Sequence, residues 1–350
     1  MSEFPAENNN LTSKPEISLK GESGRTYILD KILGKGTFGV VYESHAKDNP
    51  EQKFAIKKYF KTFHPHYAQL EISIIFYLNK KIKDDSIIKL YDGFIDNKSG
   101  NLYIITSYLP HQKFTEYFKE LPISKIKIYM KNLLTAINLI HKEGIIHRDI
   151  KPDNFIFDLE SNKSCLIDFG LAEADMDSSN WENSNKNNKL DDDYKIISDL
   201  QKYNYRHRTG TKGFLAPEVI FHSNFQSTQV DIWSCGVILL SFLAKRFPIF
   251  NLNVFSQINE DIIKEIEPLI IVFGRDKIMD IAQRCNCNIY ISDCFNNYYI
   301  GIEKLVKKIG ENEEEKKNIQ LAVDLVKKML EIDPFKRINA ENALKHEFFN

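Results

Sequence analysis

The sequence has few cysteines, no long apolar run and almost no net charge, and each absence excludes a class of protein. Its five cysteines are odd in number and lack the regular spacing of a disulfide framework, which favours a reducing compartment inside the cell. No segment has the apolar core of a signal peptide or the roughly 18 apolar residues of a membrane span. The net charge of -1 balances 47 basic against 48 acidic residues, so no overall field favours nucleic acid or a membrane. We therefore expect a soluble intracellular protein with no direct nucleic-acid or membrane binding.

The pattern of the chain predicts an α+β protein with two lobes. Residues 1–24 are polar and Asn-rich and are predicted to be a disordered leader. Short β-branched and aromatic runs from residue 27 to 63, and again from 87 to 109, predict antiparallel strands, with one helix at 66–80 between them. From about residue 121 helical patterns dominate and predict a larger, mainly helical lobe. A cleft between two such lobes is a usual place for a ligand.

A strongly acidic stretch interrupts the helical part. Residues 173–199 contain eight acidic residues against three lysines, together with clustered Asn and Ser, and predict a mobile insertion. The next segment, 201–212, has four basic residues and no acidic one. The chain therefore changes sign abruptly at this point.

A glycine-rich segment near the start of the strands predicts phosphate binding. LGKGTFGVVYE spaces Gly34, Gly36 and Gly39 so that the backbone can lie close to a phosphate chain. The same spacing occurs in dinucleotide sites, but those need a helix where this sequence has the strand-like VVYESH. Lys57 in FAIK can reach the phosphates, and Glu71, inside an otherwise apolar helix, is its candidate ion-pair partner because an unpaired buried carboxylate is costly.

The segment IIHRDIKPDNFIFD carries the strongest signal for chemistry. Asp149 can accept the proton of an attacking hydroxyl, and Lys151 can neutralise charge on a transferred phosphoryl group. Asn154 offers a carbonyl oxygen to Mg²⁺, and Asp168 in LIDFGLA is the candidate main ligand of that ion. The pattern predicts phosphoryl transfer from ATP with Mg²⁺ as cofactor.

With the later motifs GTKGFLAPE, DIWSCGVILL and DPFKRINAENALKHEFF, the chain from Tyr27 to Phe349 resembles a complete eukaryotic protein kinase domain. The resemblance implies a bilobal kinase fold over residues 25–350, with an N-lobe of about 25–108, a C-lobe of about 109–350 and an activation-segment insert of about 173–200. It implies that Thr211 bridges Asp149 and Lys151, that Glu218 pairs with Arg337, and that Asp231 braces the catalytic loop. It also implies a set of ATP-binding residues: Gly34, Gly36, Gly39, Val41, Ala55, Lys57, Thr106, Ser107, Leu109 and Ile156.

Further motifs narrow the resemblance. Lys151 and the GTKGF segment resemble serine/threonine kinases. TFHPHYAQLEI, SYLPHQKF and the long span from Asp168 to Glu218 resemble the replication-initiating cell-division-cycle kinases. That family implies an activating regulatory subunit of the dumbbell-former type, MCM helicase subunits as substrates and a nuclear location. It also implies that binding of the subunit orders the helix that carries Glu71. The inserts of this chain are shorter than is usual in that family, which leaves the docking mode of the subunit open.

The basic segment after the insertion predicts the preferred substrate. Arg206, Arg208 and Lys212 flank Thr211, near the acceptor position that the resemblance implies. Opposite charges about 4 Å apart at a protein surface attract by roughly 4 kcal/mol before screening and desolvation, so acidic residues or phosphoserine after the acceptor are expected. Alternatively, these cations only pair with the acidic insertion.

Several alternatives stay open at the level of sequence. The chain could be another acidophilic or cell-cycle kinase, or a pseudokinase scaffold, although every polar catalytic position is filled. Arg148 could bind a phosphorylated activation segment, and the available hydroxyls, none singled out by its context, are Ser178, Ser179, Ser184, Ser198 and Thr209. Cys285, Cys287 and Cys294 lack the spacing of a zinc site and are interpreted as free thiols.

Overall fold

A computed structural model describes most of the chain and divides it into two units. The described residues are 18–36, 38–61, 65–96, 99–175, 192–201, 210–250, 261–293, 295 and 299–350. The first unit, here called the sheet unit, comprises Met1–His64 and Leu90–Tyr108. The second, the helical unit, comprises Pro65–Lys89 and Leu109–Asn350.

The sheet unit is one antiparallel sheet with strand order β1-β2-β3-β4-β6-β5. Its strands are β1 Ser18–Lys20, β2 Thr26–Lys35, β3 Gly39–Ala46, β4 Asn49–Tyr59, β5 Leu90–Ile95 and β6 Leu102–Ser107. Side chains alternate between its faces: Phe54 and Ile56 are fully buried in the core, whereas Ala55 and Lys57 between them are half-buried on the opposite face. The predicted strands of this region are confirmed.

The disordered leader predicted for residues 1–24 is wrong for its last part. Ser18–Lys20 forms β1, which pairs with Thr26–Ile28 of β2. Leu19 is buried in the same core cluster as Tyr27, so a single apolar residue in a polar segment is enough to add an edge strand to the sheet. Residues 1–17 lie outside the described part of the chain.

The helical unit contains the described helices and two short two-stranded sheets. Its helices are α1 Pro65–Lys81, α2 Phe114–Tyr117, α3 Ile123–Lys142, α4 Asp192–Gln201, α5 Pro217–Ile220, α6 Gln229–Ala244, α7 Asp261–Phe273, α8 Arg275–Arg284, α9 Glu313–Met329 and α10 Ala340–Leu344. Three-residue 3-10 helices cover Pro152–Asn154, Glu303–Leu305 and Glu347–Phe349. One two-stranded sheet pairs β7 Ile145–Ile146 with β10 Glu173–Ala174. The other is a hairpin of β8 Phe155–Phe157 and β9 Ser164–Leu166.

Helix α6 forms the centre of the helical unit. Every residue from Val230 to Ala244 is buried, as expected for a helix that is apolar on all sides. Its first turn carries one acidic residue, Asp231, which is only 1% exposed. The sequence prediction of a buried helix is confirmed, and a buried carboxylate at its start needs partners that are described below.

The mobile insertion predicted for residues 173–200 is wrong at both ends. Residues 173–174 form β10, and Asp192–Gln201 forms α4, whose residues Tyr194, Ile197 and Ser198 are buried. Acidic composition suggested disorder, but an apolar stripe at helical spacing gives this segment a surface to bury. Residues 176–191 lie outside the described part of the chain.

The described residues contain neither a membrane-spanning helix nor a ready-made metal cluster. No described helix is both long enough and apolar enough to cross a membrane. No described group of three or more His, Cys, Asp or Glu side chains could hold a metal ion. Cys285 and Cys287 are free thiols, and Cys294 lies outside the described residues.

Candidate active site

The backbone of the loop that carries Asp149 is hydrogen-bonded to the Asp231 carboxylate. Its Oδ2 accepts the backbone N–H of His147, and its Oδ1 accepts that of Arg148, both at 2.8 Å. The Nε2 atom of His141 lies 2.8 Å from the same Oδ2. Burial by itself raises the pKa of the Asp231 carboxyl, but the hydrogen bond from His141 and the charges of His141 and His147 outweigh it and lower the pKa. Asp231 is therefore a buried anion that fixes the backbone of this loop, including Arg148 with its positive φ of 67°.

Four predicted site residues meet around the Asp149 carboxylate. Thr211 Oγ1 donates to Asp149 Oδ1 at 2.6 Å, and Lys151 Nζ donates to Asp149 Oδ2 at 2.7 Å and to Thr211 Oγ1 at 2.8 Å. Asn154 Nδ2 donates to the Asp149 backbone oxygen at 2.8 Å and to Oδ2 at 2.9 Å. Asp149 is 8% exposed. Donors on both oxygens hold the carboxylate in one orientation, as a proton acceptor for a positioned hydroxyl requires.

The two predicted metal ligands stand at the same end of the β8–β9 hairpin. Phe155 pairs with Leu166, and the backbone N–H of Ile167 donates to the carbonyl of Asn154 at 2.9 Å. Asp168 follows with a positive φ of 60°. Because both side-chain hydrogen bonds of Asn154 to Asp149 use its Nδ2, its Oδ1 can coordinate a cation. One carboxylate and one amide oxygen suit Mg²⁺, which keeps several water or phosphate ligands.

A buried ion pair stabilises the segment that follows Thr211. Arg337 donates to Glu218 through Nη1 at 2.6 Å and through Nη2 at 3.0 Å, and both side chains are almost completely buried. Arg337 also donates to the backbone oxygen of Gln229 at 2.8 Å, at the start of α6. This bidentate pair ties the segment to the helix that carries Asp231.

The predicted nucleotide-binding residues of the sheet unit share one face. Val41 lies opposite Lys57, and Ala55 lies opposite Thr106, so the four side chains project from the same side of β3, β4 and β6. Thr106 Oγ1 donates to the Ala55 backbone oxygen at 3.3 Å. Val41, Ala55 and Lys57 are half-buried and Thr106 is buried, which suits a surface that receives a flat apolar ring.

The glycine-rich segment connects β2 and β3 beside this face. The N–H of Gly36 donates to the oxygen of Gly39 at 3.0 Å. At Gly39 a Cβ atom would lie 2.1 Å from the Lys58 backbone oxygen, so only glycine fits there, whereas Gly34 and Gly36 have open space beside them. Thr37 lies outside the described residues.

The remaining predicted site residues are distributed between the two units. Ser107 ends β6 in the sheet unit, whereas Leu109 and the half-buried Ile156 of β8 belong to the helical unit. Lys57 belongs to the sheet unit, and Glu71, 2% exposed on α1, belongs to the helical unit. Their ion pair stays a prediction.

Only one of the three predicted substrate-recognition residues lies in the described part of the chain. Arg206 and Arg208 fall outside it. Lys212 lies 3.2 Å from Glu265 Oε1, with the lysine side chain 78% exposed and the glutamate 12%. Glu265, which the sequence analysis did not single out, therefore offsets part of the positive charge assigned to this site.

The sequence analysis also missed the partners of Arg148. Its Nη2 forms a very short ion pair with Glu173 Oε1, and its Nη1 donates to Gln226 Oε1 at 2.8 Å. The side chains of Arg148 and Glu173 are 6% and 12% exposed. A glutamate in the first residues of an acidic run has no local signal that selects it from its neighbours, because its partner lies 25 residues away in the chain.

Comparison of the sequence with known proteins matches the chain to one family. The model of the protein kinase domain matches residues 27–349. The chain is 32% identical to the cell cycle serine/threonine-protein kinase hsk1 of Schizosaccharomyces pombe, over 92% of this chain and 66% of that protein. It is 30% identical to the cell cycle protein kinase spo4 of the same organism, over 96% of this chain and 89% of that protein.

A third relative extends the similarity to a distant organism. The probable cell division control protein 7 homolog 2 of Encephalitozoon cuniculi is 28% identical, over 91% of this chain and 90% of that protein. The bilobal α+β class and the serine/threonine kinase expected from the sequence are thus confirmed. The chain belongs to the protein kinase family and, within it, to the cell-cycle serine/threonine kinases related to cell division control protein 7.

Proposed function

We propose that this kinase acts in the initiation of DNA replication, where it phosphorylates MCM helicase subunits together with an activating regulatory subunit of the dumbbell-former type. The observation that carries the proposal is the similarity to relatives named for the cell cycle and for cell division control, which extends over more than 90% of the chain. The proposal places the chain in the nucleus.

The proposed cofactors are ATP and Mg²⁺, and the described residues fit both. The shared face of Val41, Ala55 and Thr106 suits an adenine ring, and the open space beside Gly34 and Gly36 leaves room for phosphates. Asn154 and Asp168 would hold the metal ion through their side-chain oxygens. When bound, MgATP supplies the phosphoryl group and neutralises the charge that develops on it.

The protein's own residues supply the acceptor side of the reaction. The Asp149 carboxylate takes the proton from the hydroxyl of the substrate serine or threonine as its oxygen attacks phosphorus. Lys151, held 2.7 Å from Asp149 Oδ2, orients that carboxylate and places a positive charge beside the transferred group. Thr211, at 2.6 Å from Oδ1, positions the segment on which the acceptor peptide lies.

We also propose a preference for acidic residues or phosphoserine after the acceptor. Arg206 and Arg208 supply most of it, because Glu265 offsets the charge of Lys212. A peptide pair that differs only in Glu or Lys at the positions after the acceptor serine measures this preference. Equal kcat/KM values for the two peptides would contradict it, and a loss of the preference in an Arg206→Gln, Arg208→Gln variant would assign it to those residues.

The function is tested by phosphoryl transfer to an MCM amino-terminal tail, with the chain alone and with its candidate regulatory subunit. The expected result is transfer that requires the subunit and is lost in Asp149→Asn. Equal transfer without the subunit, or a preference for unrelated substrates, would contradict the replication role and leave the kinase assignment intact.

A second candidate is a cell-cycle kinase with other substrates. Two observations favour it: the Lys212–Glu265 pair reduces the positive charge near the acceptor, and the chain is also 28% identical to a probable cyclin-dependent kinase 8 of Dictyostelium discoideum. A panel of peptides with proline or acidic residues after the acceptor separates the two candidates.

A further inference from the structure

Helix α4, which ends the acidic insertion, packs along α1, the helix that carries Glu71. Near one end, Lys80 Nζ lies 2.7 Å from Asp193 Oδ2. Near the other, His66 Nε2 lies 2.6 Å from the Leu200 backbone oxygen and donates to it. The two contacts run in opposite chain directions, so the helices are antiparallel and meet over most of the length of α4.

The middle of this contact is aromatic. The rings of Tyr77 and Tyr194 pack edge to face with centroids 5.6 Å apart. Burial raises the pKa of the Tyr194 hydroxyl, which therefore stays a neutral donor. It donates to the backbone oxygen of Gly144 at 3.1 Å, just before the strand that leads to the catalytic loop.

The last residue of α4 holds the start of the activation segment. The Gln201 side chain forms a pair of hydrogen bonds with Ala174: Oε1 accepts the backbone N–H at 2.7 Å, and Nε2 donates to the backbone oxygen at 3.1 Å. Ala174 itself pairs with Ile145 in the two-stranded sheet of β7 and β10. Helix α4 thus contacts both α1 and β10, and β10 pairs with β7, the strand that precedes His147.

Residue Glu173 lies at the end of this chain of contacts. It stands next to Ala174 on β10 and forms the buried ion pair with Arg148, the neighbour of Asp149. An arginine in this place can bind a phosphorylated activation segment. In this protein an internal carboxylate, held in register by α4 and β7, already supplies an anion to it.

We propose that α4 is an internal brace that positions α1 and β10 for phosphoryl transfer, with Tyr194 and Gln201 as its main positioning residues. The proposal rests only on the membership of the kinase family and not on the replication role. A ten-residue helix is marginal by itself in water, so the order of α4 comes from these contacts. Weakening the contacts therefore releases α4 and, with it, both partners.

Substitution of the buried Ser198 can weaken the packing of α4 selectively. Ser198 is 3% exposed on the buried face of α4. An aspartate there places a charge in an apolar contact, whereas an alanine fits the same space without a charge. Lys195, exposed on the same helix, is the matched position for a change that leaves all described contacts of α4 in place.

The experiment compares Ser198→Asp, Ser198→Ala, Tyr194→Phe and Lys195→Gln in the full chain. We measure kcat, KM for ATP and amide hydrogen exchange in α1, β10, α3 and α6. Ser198→Asp is expected to lower kcat/KM for ATP by about tenfold or more and to raise exchange in α1 and β10 while α3 and α6 keep their protection. Tyr194→Phe removes one hydroxyl and leaves the ring, so a smaller change in the same direction is expected; Ser198→Ala and Lys195→Gln stay near the parent.

Two results would overturn the proposal. If α1 and β10 lose protection while kcat/KM stays within twofold of the parent, the brace does not serve catalysis. If exchange rises equally in α1, α3 and α6, the changed residues stabilise the whole unit and position nothing in particular. Tyr194→Phe keeps the test valid if Ser198→Asp does not fold.

Discussion

Two carboxylates, Asp231 and Glu173, hold the catalytic loop from different regions of the helical unit. Asp231 belongs to a 16-residue helix that is buried almost throughout, and it binds the backbone of His147 and Arg148. Glu173 belongs to a two-residue strand held by the ten-residue α4, and it binds the Arg148 side chain. The first contact cannot open without disrupting the core, whereas the second depends on a short helix at the surface. The comparison indicates that one support is permanent and the other can be adjusted.

The permanent support gives the largest expected effect. In Asp231→Ala two buried backbone N–H groups lose their acceptor, which costs about 3 kcal/mol or more in the free energy of unfolding and disorders the loop. We expect kcat to fall by about 100-fold or more. Urea unfolding and kinase assays measure the two effects, with Asp231→Asn, which keeps one acceptor oxygen, expected between alanine and the parent. A kcat within twofold of the parent would contradict this role.

The same carboxylate gives a dependence on pH. Its pKa in the folded protein is lowered below the ordinary 3.8, so its stabilising contribution is complete above that value and is lost as the pH falls through it toward the folded pKa. The difference in free energy of unfolding between the parent and Asp231→Asn is therefore expected to shrink in acid. Unfolding curves from pH 7 down to pH 3 measure it; a difference that grows in acid would contradict the assigned direction.

The adjustable support gives a smaller effect. Glu173→Gln keeps the shape but removes the charge that faces the buried Arg148, so about tenfold lower kcat and a free energy of unfolding lower by up to about 3 kcal/mol are expected. The control is Glu160→Gln, an exposed change that leaves the support intact. Phosphatase treatment of the parent tests whether a phosphate group is also needed. If the treatment abolishes activity, Glu173 alone does not suffice as the anion for Arg148.

The smallest effect is expected at the exposed edge of the brace. Lys80 and Asp193 are 52% and 25% exposed, and ion pairs of this kind contribute about 0.2–1 kcal/mol. Lys80→Gln should change kcat by less than about threefold, and less still at high salt. A loss of kcat as large as that of Ser198→Asp would show that this ion pair, and not the buried face of α4, positions its partners.

The same division between local and distant contacts explains what the sequence could predict. Asp149, Lys151 and Asn154 lie within six residues, so their chemistry is visible in one motif, and the structure brings Thr211 to them as the resemblance implied. Short β-branched and aromatic runs predicted the strands, and a mostly apolar segment predicted α6. These signals depend on near neighbours in the chain.

The missed features depend on residues that are distant in sequence. Glu173 pairs with Arg148 and Lys212 with Glu265, and in each pair one residue among many like charges has to be chosen. Helix α4 did carry a signal, because Tyr194, Ile197 and Gln201 repeat at helical spacing. The acidic composition around it outweighed that pattern, and its partners on α1 lie more than 110 residues earlier, beyond the reach of any local rule.

The most direct test of the catalytic centre is phosphoryl transfer by Asp149→Asn beside the parent, with ATP binding measured on both. The substitution removes the proton acceptor but leaves the sheet-unit face and the Asp231 support unchanged. ATP is expected to bind within a few-fold of the parent while kcat falls by about 100-fold or more. Undiminished turnover in Asp149→Asn would contradict the assignment of the catalytic centre.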